Sequence, residues 1–159
     1  MCERTGKSPA QSVVETRYLL MPHEASPFGT AFGGVILGWM DMVAGMAAQR
    51  HCSCPVVTAG MDSVSFQEPI QVGDHVVLRA CVNYTGRTSL EVGVQVTRED
   101  PNTCQAVLAT TGHFTFVALD EHKRPTPVPP VLPQTILEKE RYEQARLRAE
   151  ARKRQRERG

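Results

Sequence analysis

FGGVILGWMDMVAGMAAQR, residues 32–50, decides the fold of this chain. Phe32, Val35, Ile36, Trp39, Met40, Val43 and Ala47 recur at the spacing of one helix face, so the stretch predicts a helix from about Gly33 to Arg50. Pro55 ends it. Upstream, SVVETRYLLM (12–21) reads as a strand, and the loop from Pro22 to Gly29 is marked by Pro22, Pro27 and Gly29. Downstream, four strand-like stretches occupy about 56–67, 75–84, 88–98 and 105–119. Their joints are the turns QVGD (71–74), TGRTS (85–89) and EDPNT (99–103). Strands joined by short turns pair antiparallel, and a sheet with one face to bury wraps a single apolar helix. The expected class is α+β, a curled antiparallel sheet around one central helix.

The remainder of the chain sets bounds. Its 159 residues suit one domain that buries a core without staples. The prolines at 125, 127, 129, 130 and 133 form an extended linker between a domain over residues 1–133 and a tail over 134–159. That tail carries nine Lys/Arg against five Asp/Glu and is rich in helix formers, which predicts a solvated, charged helix. The overall charge of +1 speaks against a nucleic-acid binder. No run reaches the length of a membrane span, and the polar residues 1–10 read as a frayed start without a signal peptide. The odd set Cys2, Cys52, Cys54, Cys81 and Cys104 argues against a disulfide framework and lacks zinc-site spacing, so reduced thiols, no metal and a cytoplasmic location are expected.

One residue of the helix breaks its character. Asp41 is the sole carboxylate in the stretch, and a charge there is costly unless paired or exposed. Gly34, Gly38, Gly45 and Ala48 share its face, a stripe of small residues with Asp41 in the middle. Mid-helix glycine costs about 1 kcal/mol relative to alanine, so a strand, a partner chain or a substrate is expected to pass close by. On spacing alone two readings of Asp41 stand: a hydrogen bond to nearby backbone, or chemistry. Gly33 and Gly34 open the helix, where free N–H groups can hold partial negative charge. A thioester carbonyl held there and attacked from Asp41 would meet the geometric needs of a hydrolase. His23, His51, His75, His113 and His122 are scattered and form no Ser-His-Asp or Cys-His arrangement.

At these residues the chain resembles a known family. MPHEASPFGTAFGGVILGWMDMVAGMAAQRHC (21–52) is similar to the signature segment of hotdog-fold acyl-CoA thioesterases. The resemblance continues through VVTAGMDSVSFQEPIQVGDHVVLRACVNYTGRTSLEVGVQV (56–96) and HFTFVALDEHKRPTPVPP (113–130), covering roughly residues 14–133. It implies a hotdog fold, hydrolysis of acyl-CoA to free acid and CoA, and no cofactor, CoA being part of the substrate. Asp41 matches the family's catalytic carboxylate, acting as general base or as nucleophile. Gly33 or Gly34 matches the position whose N–H polarises the thioester carbonyl. The turn from Gly86 through Arg87 and Thr88 to Ser89 matches a region near the CoA nucleotide, with Arg87 as a phosphate partner. Thr58 and Asp62 join the substrate-binding candidates, on the strand that follows the helix. Homodimers paired through their sheets and assembled into hexamers are implied as well. The family often carries Asn where this chain has Ser26 or Thr30. Two rivals remain. A hotdog dehydratase would place a His with a carboxylate, which this helix lacks. A non-catalytic acyl-CoA-binding module would have no need of Asp41.

Overall fold

The computed structural model describes residues 5–159. Five strands form one antiparallel sheet in the order β1-β3-β4-β5-β2. These are β1 (Val14–Leu19), β2 (Val56–Phe66), β3 (His75–Thr85), β4 (Ser89–Glu99) and β5 (Ala106–Ala118). Helix α1 (Gly33–Cys52) touches all five, and α2 (Ile136–Arg158) follows the proline linker. This is the expected hotdog arrangement.

The core lies between α1 and the inner face of the sheet. Ile36, Met40, Val43, Ala44 and Ala47 point from the helix into Leu78, Val82, Leu90, Val92, Val94 and Phe114, all of them buried. On β4, Leu90, Val92, Val94 and Val96 face the helix, so Glu91, Gly93 and Gln95 face the other way. Tyr18 of β1 stacks on Trp39 with ring centroids 4.4 Å apart, which fastens one edge strand to the helix. Helix α1 stops because Ser53 turns left-handed at φ 56° and returns its N–H to Gln49 at 2.7 Å.

Local departures from the sequence reading have physical causes. Ser12 belongs to a short 3-10 turn, Pro9–Ser12, rather than to β1. Its hydroxyl accepts the Val82 N–H at 2.8 Å just beyond the end of the β1–β3 ladder, which begins at Val14 and Ala80. The start is therefore not frayed at residues 7–10: Lys7 N–H donates to Pro130 O at 3.1 Å, and Leu132 N–H to Lys7 O at 2.7 Å. That expectation also covered residues 1–4, and Cys2 with them, which lie outside the described residues. Cys54 is disulfide-bonded, so uniform reduced thiols do not hold, while Cys52, Cys81 and Cys104 are free.

The tail is helical but not simply solvated. Ala145 is fully buried, and Tyr142 meets Tyr84 edge-on at 5.1 Å, so one side of α2 lies on the outer face of the sheet. Thr135 caps it, accepting the Glu138 N–H at 3.1 Å while Glu138 Oε1 accepts the Thr135 N–H at 3.2 Å.

Candidate active site

Asp41 sits half-buried on the third turn of α1. Thr58, near the start of β2, donates its hydroxyl to Asp41 Oδ1 at 2.8 Å. Among the described residues Asp41 forms no ion pair, and Oδ2 has no partner. The stripe of small residues divides around it. A Cβ built on Gly38 meets nothing within 4 Å, whereas one on Gly45 meets the Phe116 ring at 3.6 Å, and Ala48 is fully buried. Gly38 therefore opens outward, the Phe32 ring lies over Gly34, and Gly45 and Ala48 pack on the sheet. Beside this open face stand exposed apolar side chains: Phe32, Met42 and Met46 on the helix side, and Met61 and Phe66 on β2.

At the start of α1, Phe32 precedes the first turn without a capping side chain, and the N–H groups of Val35 and Ile36 return to its carbonyl. The N–H groups of Gly33 and Gly34 have no acceptor among the described residues. They carry the positive end of the helix dipole. Gly33 borders a cleft of about 380 Å³ that Thr30, Ile36, Phe66, Ile70 and Thr110 also line. The Ser26 and Thr30 hydroxyls lie 3.4 Å apart in the loop before it, and Ser26 Oγ accepts the Phe28 N–H at 3.3 Å.

Gly33 and Asp41 are separated by eight helical positions, about 12 Å along the axis. An aspartate side chain cannot span that distance. One chain therefore does not present a single carbonyl to both its own helix start and its own Asp41, contrary to the simplest reading of the sequence.

The other candidates scatter. The Gly86–Ser89 turn sits at the far end of α1, where Leu119 N–H donates to Pro55 O at 2.8 Å and Ala118 N–H to Thr88 O at 3.0 Å. Arg87 is exposed, and its carbonyl accepts the Val128 N–H at 2.9 Å, anchoring the proline linker. The 20 residues of α1 separate this turn from Gly33 of the same chain by about 30 Å. Asp62 is on β2 with Thr58 but faces the opposite side of the sheet, where it pairs with Arg152 of α2. His51 is buried and structural: Nε2 donates to Pro129 O at 2.8 Å, and burial holds its pKa below the ordinary value. Burial does the same to His113. Among the described residues no cluster of three His, Cys, Asp or Glu is placed to hold a metal ion, and no helix is long and apolar enough to cross a membrane. The sequence reading passed over Glu91, although it is the sole carboxylate of the apolar strand SLEVGVQV. It is 1% exposed and accepts from Arg148 and Arg152.

Comparison with known proteins identifies the family. The thioesterase superfamily model matches residues 28–105. A Bacillus subtilis protein described as an uncharacterized acyl-CoA thioester hydrolase is 41% identical over 134 residues, 84% of this chain and 78% of its own. An acyl-CoA hydrolase from Staphylococcus aureus, solved with butyryl coenzyme A, coenzyme A and coenzyme A disulfide, superposes with a TM-score of 0.88 at 37% identity, covering 94% of this chain and 92% of its own. A structure described as an apo-hexameric acyl-CoA thioesterase gives a TM-score of 0.91 at 40% identity, covering 95% of this chain and 97% of its own. The chain belongs to the thioesterase superfamily, as a hotdog-fold acyl-CoA thioesterase.

Proposed function

We propose that Asp41 is the catalytic carboxylate of this thioesterase and that each complete site draws on two chains. The observation that carries the reading is the Thr58–Asp41 hydrogen bond at 2.8 Å on an open glycine face. It orients one carboxylate oxygen and leaves Oδ2 for a water. Asp41 takes a proton from that water as its oxygen bonds to the thioester carbon. The carbonyl electrons move onto oxygen, where the free N–H groups of Gly33 and Gly34 of a second chain stabilise the charge. Collapse breaks the C–S bond, and the CoA thiolate recovers the proton from Asp41. The products are a carboxylic acid and CoA-SH, and no step calls for a cofactor.

Helix geometry supports the two-chain arrangement. An antiparallel pair of α1 helices brings the Gly33 end of one chain towards Asp41 of the other. It also brings the turn from Gly86 to Ser89 of one chain towards the helix start of its partner, so that Arg87 can meet the CoA phosphates. The exposed β2 edge is the surface for such a dimer, and the hexameric relative supports assembly of three dimers. The Staphylococcus aureus enzyme has been solved as alanine mutants at an aspartate, a threonine and an asparagine. These are separated in its sequence as Asp41, Thr58 and Ser26 are in this one, so Ser26 stands where that enzyme has Asn. A cytoplasmic location is supported by a Rattus norvegicus relative described as a cytosolic acyl coenzyme A thioester hydrolase, 34% identical over 134 residues, 82% of this chain and 35% of its own.

The test is thiol release from acyl-CoA by the wild-type protein and Asp41→Asn. Asp41→Asn is expected to keep its melting temperature and lose roughly 10² or more in kcat. Absence of any turnover by the wild type would favour a binding module, and near-wild-type turnover by Asp41→Asn would refute the assignment.

A further inference from the structure

Strand β2 carries Thr58. Among the described residues of one chain it pairs with β5 alone, and that ladder is interrupted twice, between Thr58 and Gly60 and between Asp62 and Ser65. In the second interruption Ser63 is left-handed, at φ 52°. Each interruption removes ladder bonds close to Thr58, so its 2.8 Å hydrogen bond depends on how the rest of β2 is held, at the proposed dimer edge and on the outer face of the sheet.

The first interruption decides which residues of β2 reach that outer face. Thr58 and Asp62 are four residues apart and would share a face in a regular strand. The extra residue between Thr58 and Gly60 reverses the alternation. Thr58 pairs with Phe116, whose ring is in the core, and so faces α1. Asp62 pairs with His113, across from Gly93, and so faces α2. There the Arg152 guanidinium binds Asp62 through Nη1 and Glu91 Oε2 through Nη2, the latter at 3.1 Å. Glu91 lies on β4, so Arg152 reaches across β5 and ties the edge of the sheet to its centre. The arrangement is well shielded: the side chains of Glu91 and Arg152 are 1% and 18% exposed. Arg148 completes it, donating Nε to Glu91 Oε1 at 2.7 Å without touching β2.

We propose that Arg152 is a positioning residue for the thioesterase reaction: through Asp62 it sets the placement of β2, and so holds Thr58 against Asp41. It touches neither substrate nor Asp41. The C-terminal helix thereby becomes part of the catalytic architecture, although it lies outside residues 28–105 matched by the family model. The proposal rests on the reading of Asp41 and Thr58 as a working pair.

The two arginines supply the test, because both bind Glu91 and only one binds β2. Arg152→Gln, Arg148→Gln and Thr58→Val are assayed for kcat, KM and melting temperature in the full-length protein. Arg152→Gln should lower kcat by about tenfold at unchanged KM, as small misplacements of catalytic groups do. Arg148→Gln should lower the melting temperature comparably and keep kcat within about twofold. Arg152→Lys, which retains one charged donor, should recover part of the loss. Arg152→Gln should cost nothing further in a Thr58→Val background, since both act on one interaction. Unchanged kcat in Arg152→Gln, an equal loss in Arg148→Gln, or losses that multiply in the double variant would each overturn the proposal. Wild-type kcat in Thr58→Val alone would refute the Asp41–Thr58 pair, and this proposal with it.

Discussion

At the scale of single residues, each charged or titratable side chain is explained by its surroundings rather than its type. Asp41 and Asp62 are both carboxylates on apolar elements, yet one faces an open glycine surface and the other is taken up by Arg152. Arg87 is exposed on its turn, and a contact with distant phosphates would bind ground and transition states alike. Arg87→Ala should therefore raise KM for acyl-CoA by about 10- to 100-fold with kcat little changed. An acyl-pantetheine substrate, which lacks the nucleotide phosphates, should be turned over equally by both proteins. Comparing kcat/KM for the two substrates checks this, and equal losses on both would place Arg87 in folding instead. His51 and His113 make a different prediction. Burial lowers both pKa values, so between the folded values and the unfolded value of about 6.5 the unfolded chain binds more protons. Their stabilisation is complete above about pH 6.5 and is lost as pH falls through the folded values. The melting temperature should drop as pH is lowered below that point, and the His51→Gln, His113→Gln double variant should show a flatter profile there.

At the scale of elements, irregularities do as much as regular structure. The bulge in β2 separates Thr58 from Asp62, and the irregularity in β3 places Asn83 over Gly93. A Cβ on Gly93 would run into Asn83 Nδ2, so an alanine there requires the Asn83 side chain to move. Gly93→Ala should accordingly lower stability by about 1–3 kcal/mol, read from denaturant melts. Helix α2 depends on its start as well as its packing. Thr135→Ala removes the acceptor for the Glu138 N–H and should cost about 1 kcal/mol. If α2 braces β2 as proposed, that variant should also lose some kcat, and Thr135→Ser should restore both properties.

At the scale of the whole molecule, the single chain carries an unfinished site. Its helix start and its Asp41 are too far apart to share a carbonyl, and the turn from Gly86 to Ser89, proposed to meet the CoA phosphates, lies at the other end of α1. Met42, Met46 and Met61 are exposed around the open face, and clustered exposed apolar side chains mark an interaction surface. Light scattering at micromolar concentration should give a multiple of the 17.6 kDa chain mass, with six chains expected. Met42→Asp combined with Met46→Asp should weaken assembly and abolish turnover together, because separating the chains separates the Gly33 donors from Asp41. A monomeric double variant with full activity would refute the two-chain site.

The sequence by itself determined the order of elements, the central helix and the odd carboxylate within it. Those features are local: period 3.6 in residues 32–50, alternation and turn residues afterwards, and the cost of a charge in an apolar stretch. The resemblance added the chemistry, because the spacing of FGG, WMD and TGRTS is a property of the linear chain. Only the tertiary structure decided which way Thr58 and Asp62 face, since one extra residue in β2 inverts the alternation and leaves no periodic trace. It alone joined Arg152 to Asp62 and Glu91, partners 90 and 61 positions away in the sequence. It also placed Gly33 and Arg87 at opposite ends of a helix, a separation set by the rise of 1.5 Å per residue. A motif match is silent on that distance, because matching compares the order of residues and not where the chain carries them.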